Sequence, residues 1–99
     1  MGVLVVGNKA INMAYIREVE AVPASSRVRV TLRDSSGRKV AEYITRVDGD
    51  SHKVCKELLR IVKDLFYSNR SAEIEAVVRT ARERVRRNGV ERNTCRVRA

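Results

Sequence analysis

The sequence predicts an α+β protein: an antiparallel four-stranded β-meander backed by one long apolar helix, followed by a second, amphipathic C-terminal helix. Two patterns carry this prediction. Polar and apolar residues alternate with a period of two over residues 27–33, which is typical of a strand with one buried face. Residues 51–68 repeat apolar positions at spacings of three and four, which is typical of a helix. A chain of 99 residues suits one modest core.

The first two predicted strands lie before residue 23. Val3 to Val6 form a short apolar run, and Gly7-Asn8-Lys9 predicts the turn of a hairpin. Residues 16–22, followed by Pro23, predict an extended segment that ends in a loop. Apolar residues in this segment fall on both faces, so we expect an irregularity such as a bulge there.

The next two strands form a predicted hairpin. In residues 27–33 we expect Val28, Val30 and Leu32 to face a core, and the three arginines and Thr31 to face away from it. Asp34-Ser35-Ser36-Gly37 predicts a tight turn, and residues 38–47 predict the returning strand.

Two helices complete the prediction. Ser51 is the expected N-cap of the first, which runs to about Ser68 and packs its wide apolar stripe on the sheet. That stripe consists of Val54, Cys55, Leu58, Leu59, Ile61, Val62, Leu65 and Phe66. Ser71 is the expected cap of a second helix over residues 72–88, ended by Gly89. We therefore expect a sheet-plus-helix domain over residues 1–68, and a C-terminal basic helix and tail over residues 69–99.

Charge is the strongest functional signal in the composition. The chain has 21 Lys and Arg against 12 Asp and Glu, a formal net charge of +9. Such a surface attracts polyanions, most often nucleic acid, with an anionic membrane face or an acidic protein as further partners. An alternative is that the charge only keeps the protein soluble, as in arginine-rich proteins of thermophiles. The excess of Arg over Lys hints at a heat-adapted source.

Several classes of function find no support in the sequence. His52 stands alone, and no catalytic motif is present, so we expect a protein that is not an enzyme and needs no cofactor. Cys55, expected to be buried, and Cys95 form no CxxC pair, so no metal site is expected. The N-terminus lacks the features of a signal peptide and no stretch is long enough to span a membrane, which predicts a soluble cytoplasmic protein.

The candidate binding residues centre on the alternating strand. Three guanidinium groups along one sheet face can pair with phosphates or stack on bases, and nearby tyrosines can stack on unpaired bases. Exposed Arg and Tyr are also ordinary residues of a solvated strand. The predicted nucleic-acid-binding residues are Tyr15, Arg17, Arg27, Arg29, Arg33, Lys39 and Tyr43.

The second helix carries a narrower signal. Ile74, Val78, Ala81 and Val85 repeat at the 4-3-4 spacing of a helix-pair seam, which predicts a homo-oligomer. Packing of this seam on the chain's own domain is the alternative. Arginines cover the rest of the helix, at positions 79, 82, 84, 86 and 87.

This order of elements, a meander sheet, a broad apolar helix over residues 51–68 and a separate helix with the seam, resembles the ThermoDBP group of hyperthermophilic archaeal single-stranded DNA-binding proteins. The resemblance is one of architecture, composition and size. It implies a helix-backed sheet that binds single strands in a cleft with a basic rim and an apolar floor, and a C-terminal helix that drives self-association. By this resemblance Arg27, Arg29, Arg33 and Lys39 belong to the rim and Tyr43 to the floor.

The leading prediction is therefore sequence-tolerant binding of single-stranded DNA by a basic, Tyr-containing sheet face. One alternative is binding of duplex DNA or RNA through the Arg-rich C-terminal helix. A second is a protein-interaction domain in which the arginines only solvate the surface.

Overall fold

The computed structural model describes the backbone of residues 2–98 and the side chains of residues 2–87. Its elements are β1 (Val3–Val6), β2 (Lys9–Asn12), a 3₁₀ helix (Met13–Tyr15), β3 (Glu18–Ala24), β4 (Arg27–Arg33), β5 (Lys39–Arg46), α1 (Ser51–Ser68), β6 (Ala72–Glu73) and α2 (Ile74–Arg98). The α+β class is confirmed. The four-stranded meander is wrong, because the described strands form two three-stranded sheets, ordered β2-β1-β6 and β3-β4-β5.

The first sheet joins the N-terminal hairpin to a late segment of the chain. β1 and β2 are antiparallel, and Gly7, the first residue of their two-residue loop, has the positive φ of 59° that a type II′ turn needs there. β6 pairs in parallel with β1, Leu4 beside Ala72 and Val5 beside Glu73. This two-residue strand has no periodicity to reveal it in the sequence.

The ends of α2 differ from the prediction. The Ser71 hydroxyl accepts a hydrogen bond of 3.0 Å from the Val3 N–H, so it extends the contact between β1 and β6 and does not cap the helix. α2 begins at Ile74 and continues to Arg98, so the predicted end at Gly89 is wrong. Side chains beyond Arg87, including that of Cys95, lie outside the described residues.

The expected irregularity before Pro23 is a change from one sheet to the other and not a bulge. The chain leaves the first sheet at Asn12, forms the 3₁₀ helix and enters the second sheet at Glu18. Ile16 is buried in this connection, and β3 then alternates regularly, with Val22 on the exposed face. Ile16 has the same phase as Val22 but is buried because it precedes the strand, whereas Val22 is an exposed apolar residue within β3.

The β4–β5 hairpin follows the prediction closely. The Asp34 carboxylate closes its turn by accepting the N–H groups of Ser36 (2.9 Å) and Arg38 (3.0 Å) and the Ser36 hydroxyl (2.7 Å). The hydroxyl and these N–H groups favour the charged carboxylate, so they lower the pKa of Asp34. The register shifts between Leu32 and Arg33, where β5 carries one additional residue.

α1 packs on the second sheet, chiefly on β3, and on α2. Asp50, and not Ser51, is its N-cap, because the Asp50 carboxylate accepts the N–H groups of His52 (3.0 Å) and Lys53 (3.3 Å). Asn69 ends the helix in the left-handed conformation. The predicted burial of Cys55 is confirmed, and that burial raises the pKa of its thiol.

The hydrophobic core lies between the two sheets and the two helices. Its fully buried members come from every layer: Leu4 of β1, Val30 and Leu32 of β4, Leu58 of α1 and Ile74 of α2. Over the described residues, no helix is long and apolar enough to cross a membrane.

Candidate nucleic-acid interface

The second sheet has one face on α1 and one face in solvent. Val28, Val30 and Leu32 of β4 are each 0% exposed and point to the helix side, as the alternation predicts. Directly paired residues of neighbouring strands share a face, so the register assigns the opposite, outer face. Its residues are Glu18, Glu20, Val22 and Ala24 of β3, Arg27, Arg29, Thr31 and Arg33 of β4, and Lys39, Glu42, Ile44 and Arg46 of β5.

Three arginines meet at one end of this outer face. Arg27 pairs directly with Arg46, and Arg29 lies between Val22 on one side and Ile44 on the other. Paired side chains of this kind begin about 4.5–5.5 Å apart at Cβ. Val22 is 42% exposed and Ile44 49% exposed, so Arg29 has exposed apolar surface on both sides. We call these five residues, with Ala24, the arginine end.

The arginine end has no countercharge. None of its six residues is acidic, and none of its three guanidinium groups forms an ion pair with another described residue. Like charges placed directly across a pair of strands destabilise it. A bound anion would remove that repulsion.

The other end of the same face is the acid-balanced end, formed by Glu18, Glu20, Arg33, Lys39 and Glu42. Arg33 lies 3.6 Å from the Glu20 carboxylate, and the Lys39 ammonium lies 3.3 Å from that of Glu42. Arg33 also donates to the Gly37 carbonyl at 3.5 Å. Thr31, only 3% exposed, separates the two ends.

Three other predicted binding residues do not lie at the arginine end. Tyr43 pairs with Val30, so it lies on the helix face and packs partly against the core, which corrects its predicted place on the basic surface. Arg17 precedes β3 and lies with Val19 along α1. Tyr15, 72% exposed, is on the 3₁₀ helix. The outer face therefore has no aromatic side chain.

Comparison with known proteins adds no assignment. No family model, curated protein or solved structure matches this chain. The resemblance to ThermoDBP-type proteins, like the binding of single-stranded DNA that it implies, stays a prediction.

The seam of α2 lies inside this chain. Ile74, Val78 and Ala81 are at most 3% exposed, and Val85 packs partly against the same core. This is the alternative that the sequence left open. A subunit interface through these four side chains would require α2 to leave the core, so the structure offers no support for the predicted homo-oligomer.

The arginines of α2 fall into two groups. Arg82 lies 3.5 Å from the Asp48 carboxylate, and Arg84 lies 4.0 Å from Glu57, which also pairs with Arg60 at 3.0 Å. Three others are exposed and form no ion pair with a described residue: Arg79, Arg86 and Arg87. These three arginines are therefore a second group of candidate anion-binding residues, on α2.

The structure adds Arg46 to the candidate site, and among the residues with described side chains it shows no metal cluster. Arg46 escaped prediction because its position opposite Arg27 depends on the register of the hairpin, although a strand that returns from the turn at residues 34–37 brings it near the start of β4. In the part of the chain whose side chains are described, no three His, Cys, Asp or Glu residues come together as metal ligands.

Proposed function

We propose that this protein binds single-stranded nucleic acid without sequence preference on the arginine end of its outer sheet face. The observation that carries the proposal is the juxtaposition of Arg27, Arg29 and Arg46 on two paired strands with no carboxylate among them. Arginine suits phosphate because its planar fork can donate two parallel hydrogen bonds. Phosphate contacts of this kind carry affinity and little sequence information.

The spacing of the arginines suits a nucleic-acid backbone. Arg27 and Arg29 are two residues apart on β4, which places them about 6.7 Å apart along the strand. The same sugar-phosphate bonds join neighbouring phosphates in single strands and in duplexes, so this spacing supports contact with the backbone of either form.

The apolar residues on both sides of Arg29 supply a second kind of contact with nucleic acid. Val22 and Ile44 flank Arg29 and are both about half exposed. Unpaired bases present apolar faces that such side chains can cover, and guanidinium planes can stack on bases as well. A duplex hides those faces in its own stack, so this surface distinguishes the two forms.

A matched pair of triple variants tests the proposal. Replacing Arg27, Arg29 and Arg46 by Gln removes three positive charges from the sheet, and replacing Arg79, Arg86 and Arg87 by Gln removes the same number from α2. With each phosphate contact contributing about 1 kcal/mol, the first variant should weaken binding to a labelled oligo(dT) about 100-fold at low salt. The second should change it less than about threefold. Equal losses of affinity in the two variants would show that binding depends only on net charge, and would contradict the proposal.

Salt dependence gives an independent reading of the same variants. Each neutralised phosphate on a single strand contributes about 0.7 to the slope of log K against log salt. Loss of three contacts should therefore lower the slope by about 2 in the sheet variant, while the α2 variant keeps the wild-type slope. An unchanged slope in the sheet variant would contradict the proposal.

A second candidate is duplex binding through α2, favoured by the exposed Arg79, Arg86 and Arg87, which form no ion pair with a described residue. It predicts the reverse pattern: duplex DNA or RNA competes better than oligo(dT), and the α2 variant loses binding. Competition among single-stranded DNA, duplex DNA and RNA with both triple variants separates the two functions.

A further inference from the structure

A groove lies on the opposite side of β3 from the arginine end. β3 forms one wall with Val19, and Arg17 precedes it in the chain; α1 forms the other wall. The groove is open to solvent and has a volume of about 380 Å³, within the range of about 300–1,000 Å³ typical of small-molecule sites. The α1 residues that line it are Leu59, Val62, Lys63, Phe66 and Tyr67.

The charged groups of this groove are both cationic. Arg17 and Lys63 line it, and neither forms an ion pair with another described residue. None of the lining side chains is a carboxylate. The position of Arg17 is held by its backbone, whose N–H donates to the Arg33 carbonyl at 2.8 Å. The groove therefore complements an anion.

The remaining lining is apolar and aromatic. Val62 is 4% exposed and Phe66 is half-buried, so they form a floor. Leu59 is 37% exposed and Tyr67 82% exposed, and the Lys63 ammonium lies 6.0 Å from the centre of the Tyr67 ring. A large exposed aromatic ring beside a cation is able to hold a flat, negatively charged ligand.

Size and charge select one kind of occupant. A volume of about 380 Å³ lies at the small end of ligand sites, which favours a small molecule as the occupant. A second copy of this chain would bring further positive charge against Arg17 and Lys63. A one- or two-ring molecule with an acidic group fits both limits.

We propose that the groove between β3 and α1 binds a small aromatic acid, with its ring against Leu59 and Tyr67 and its anionic group between Arg17 and Lys63. This site is separate from the arginine end and does not depend on the nucleic-acid proposal. Binding needs no covalent step.

Two fluorescent probes test the groove directly: 8-anilino-1-naphthalenesulfonate, which is an aromatic anion, and N-phenyl-1-naphthylamine, which has the same rings without the sulfonate. The folded protein should bind the anion saturably with one site per chain. Gln at both Arg17 and Lys63 should weaken binding of the anion at least tenfold and change binding of the neutral probe less than twofold. Equal affinity of the two probes for the wild-type protein would overturn the proposal.

Single substitutions locate the site. Tyr67→Ala should weaken the anionic probe about fivefold, whereas Tyr15→Ala, at an exposed tyrosine outside the groove, should leave it unchanged. Both side chains are largely exposed, so circular dichroism should show the same fold in each variant. Equal effects of the two substitutions, or no effect of Tyr67→Ala, would contradict this site.

One competition experiment, between oligo(dT) and the sulfonate probe, separates this proposal from the nucleic-acid proposal. In the variant with Gln at Arg27, Arg29 and Arg46, oligo(dT) should fail to displace the sulfonate probe. Displacement there would overturn the small-ligand proposal, because the groove would then hold nucleic acid. Loss of oligo(dT) binding in that variant with probe binding intact supports both proposals separately.

Discussion

The two ends of the outer sheet face use the same residue type in opposite electrostatic settings. At the acid-balanced end, Arg33 and Lys39 lie within 4 Å of Glu20 and Glu42, so their charges are largely satisfied inside the protein. At the arginine end, three guanidinium groups have exposed aliphatic neighbours and no acid. An arginine on a strand is thus a candidate for binding only when the paired strands leave it without a partner.

The largest effect is expected when the arginine end receives an acidic residue like those of the acid-balanced end. Ile44→Glu places a carboxylate directly beside Arg29 on the paired strand, where it neutralises the guanidinium group and repels phosphate. We expect oligo(dT) affinity to fall at least tenfold in fluorescence anisotropy. Ala14→Glu, at an exposed position of the 3₁₀ helix, adds the same charge elsewhere and should cost less than about threefold.

A smaller effect is expected when single arginines of β4 are replaced one at a time. Arg29→Gln should weaken oligo(dT) binding about fivefold, since it removes one phosphate contact of about 1 kcal/mol. Arg33→Gln should leave binding within about twofold, because its guanidinium group already contacts Glu20 and Gly37. The outcome that contradicts the division of the face is an equal loss for both variants.

The two regions also explain what sequence could and could not predict. Alternation placed Val28, Val30 and Leu32 in the core and the arginines outside, because one strand suffices to define its two faces. The face of Tyr43 could not be read in this way, since the adjacent Ile44 is apolar as well and the choice depends on pairing with β4. Arg46 was missed for the same reason.

The division into two sheets was beyond local patterns. The chain leaves one sheet for the other at the 3₁₀ helix Met13–Tyr15, and no periodic pattern marks that break. The third strand of the first sheet, β6, is two residues long, pairs with β1 across some 68 residues of sequence and carries no alternation. Both predicted helix caps were wrong. The N-cap of α1 is Asp50, the residue before Ser51, and the Ser71 hydroxyl accepts a hydrogen bond from β1. The α2 seam shows the limit of the 4-3-4 pattern, which records burial without identifying what covers it.

The turn at the acid-balanced end can be tested by pH. The lowered pKa of Asp34 means that its carboxylate stabilises the fold above its unfolded value of about 3.8, and that this contribution is lost as the pH falls through the folded pKa. Asp34→Asn should lower the melting temperature at pH 6 and leave oligo(dT) binding within about twofold. The difference in melting temperature from wild type should shrink below pH 4; a constant difference would show that the charge of Asp34 is not involved.

The turn at the arginine end should give the smallest effect. Ser26 has a φ of 59°, a left-handed conformation that costs a residue with a Cβ about 1–2 kcal/mol relative to glycine. Ser26→Gly removes this strain but adds about 0.5–1 kcal/mol of backbone entropy cost, so we expect a net stabilisation of about 0.5–1 kcal/mol in urea unfolding. Asn69→Gly is the control at the other left-handed residue, where the smaller strain of asparagine predicts almost no change. If Ser26→Gly destabilises the fold, the Ser26 N–H, carbonyl or hydroxyl must hold the turn more strongly than its conformation strains it, and the 2.9 Å bond from the Val47 N–H to the Ser26 carbonyl is the first contact to examine.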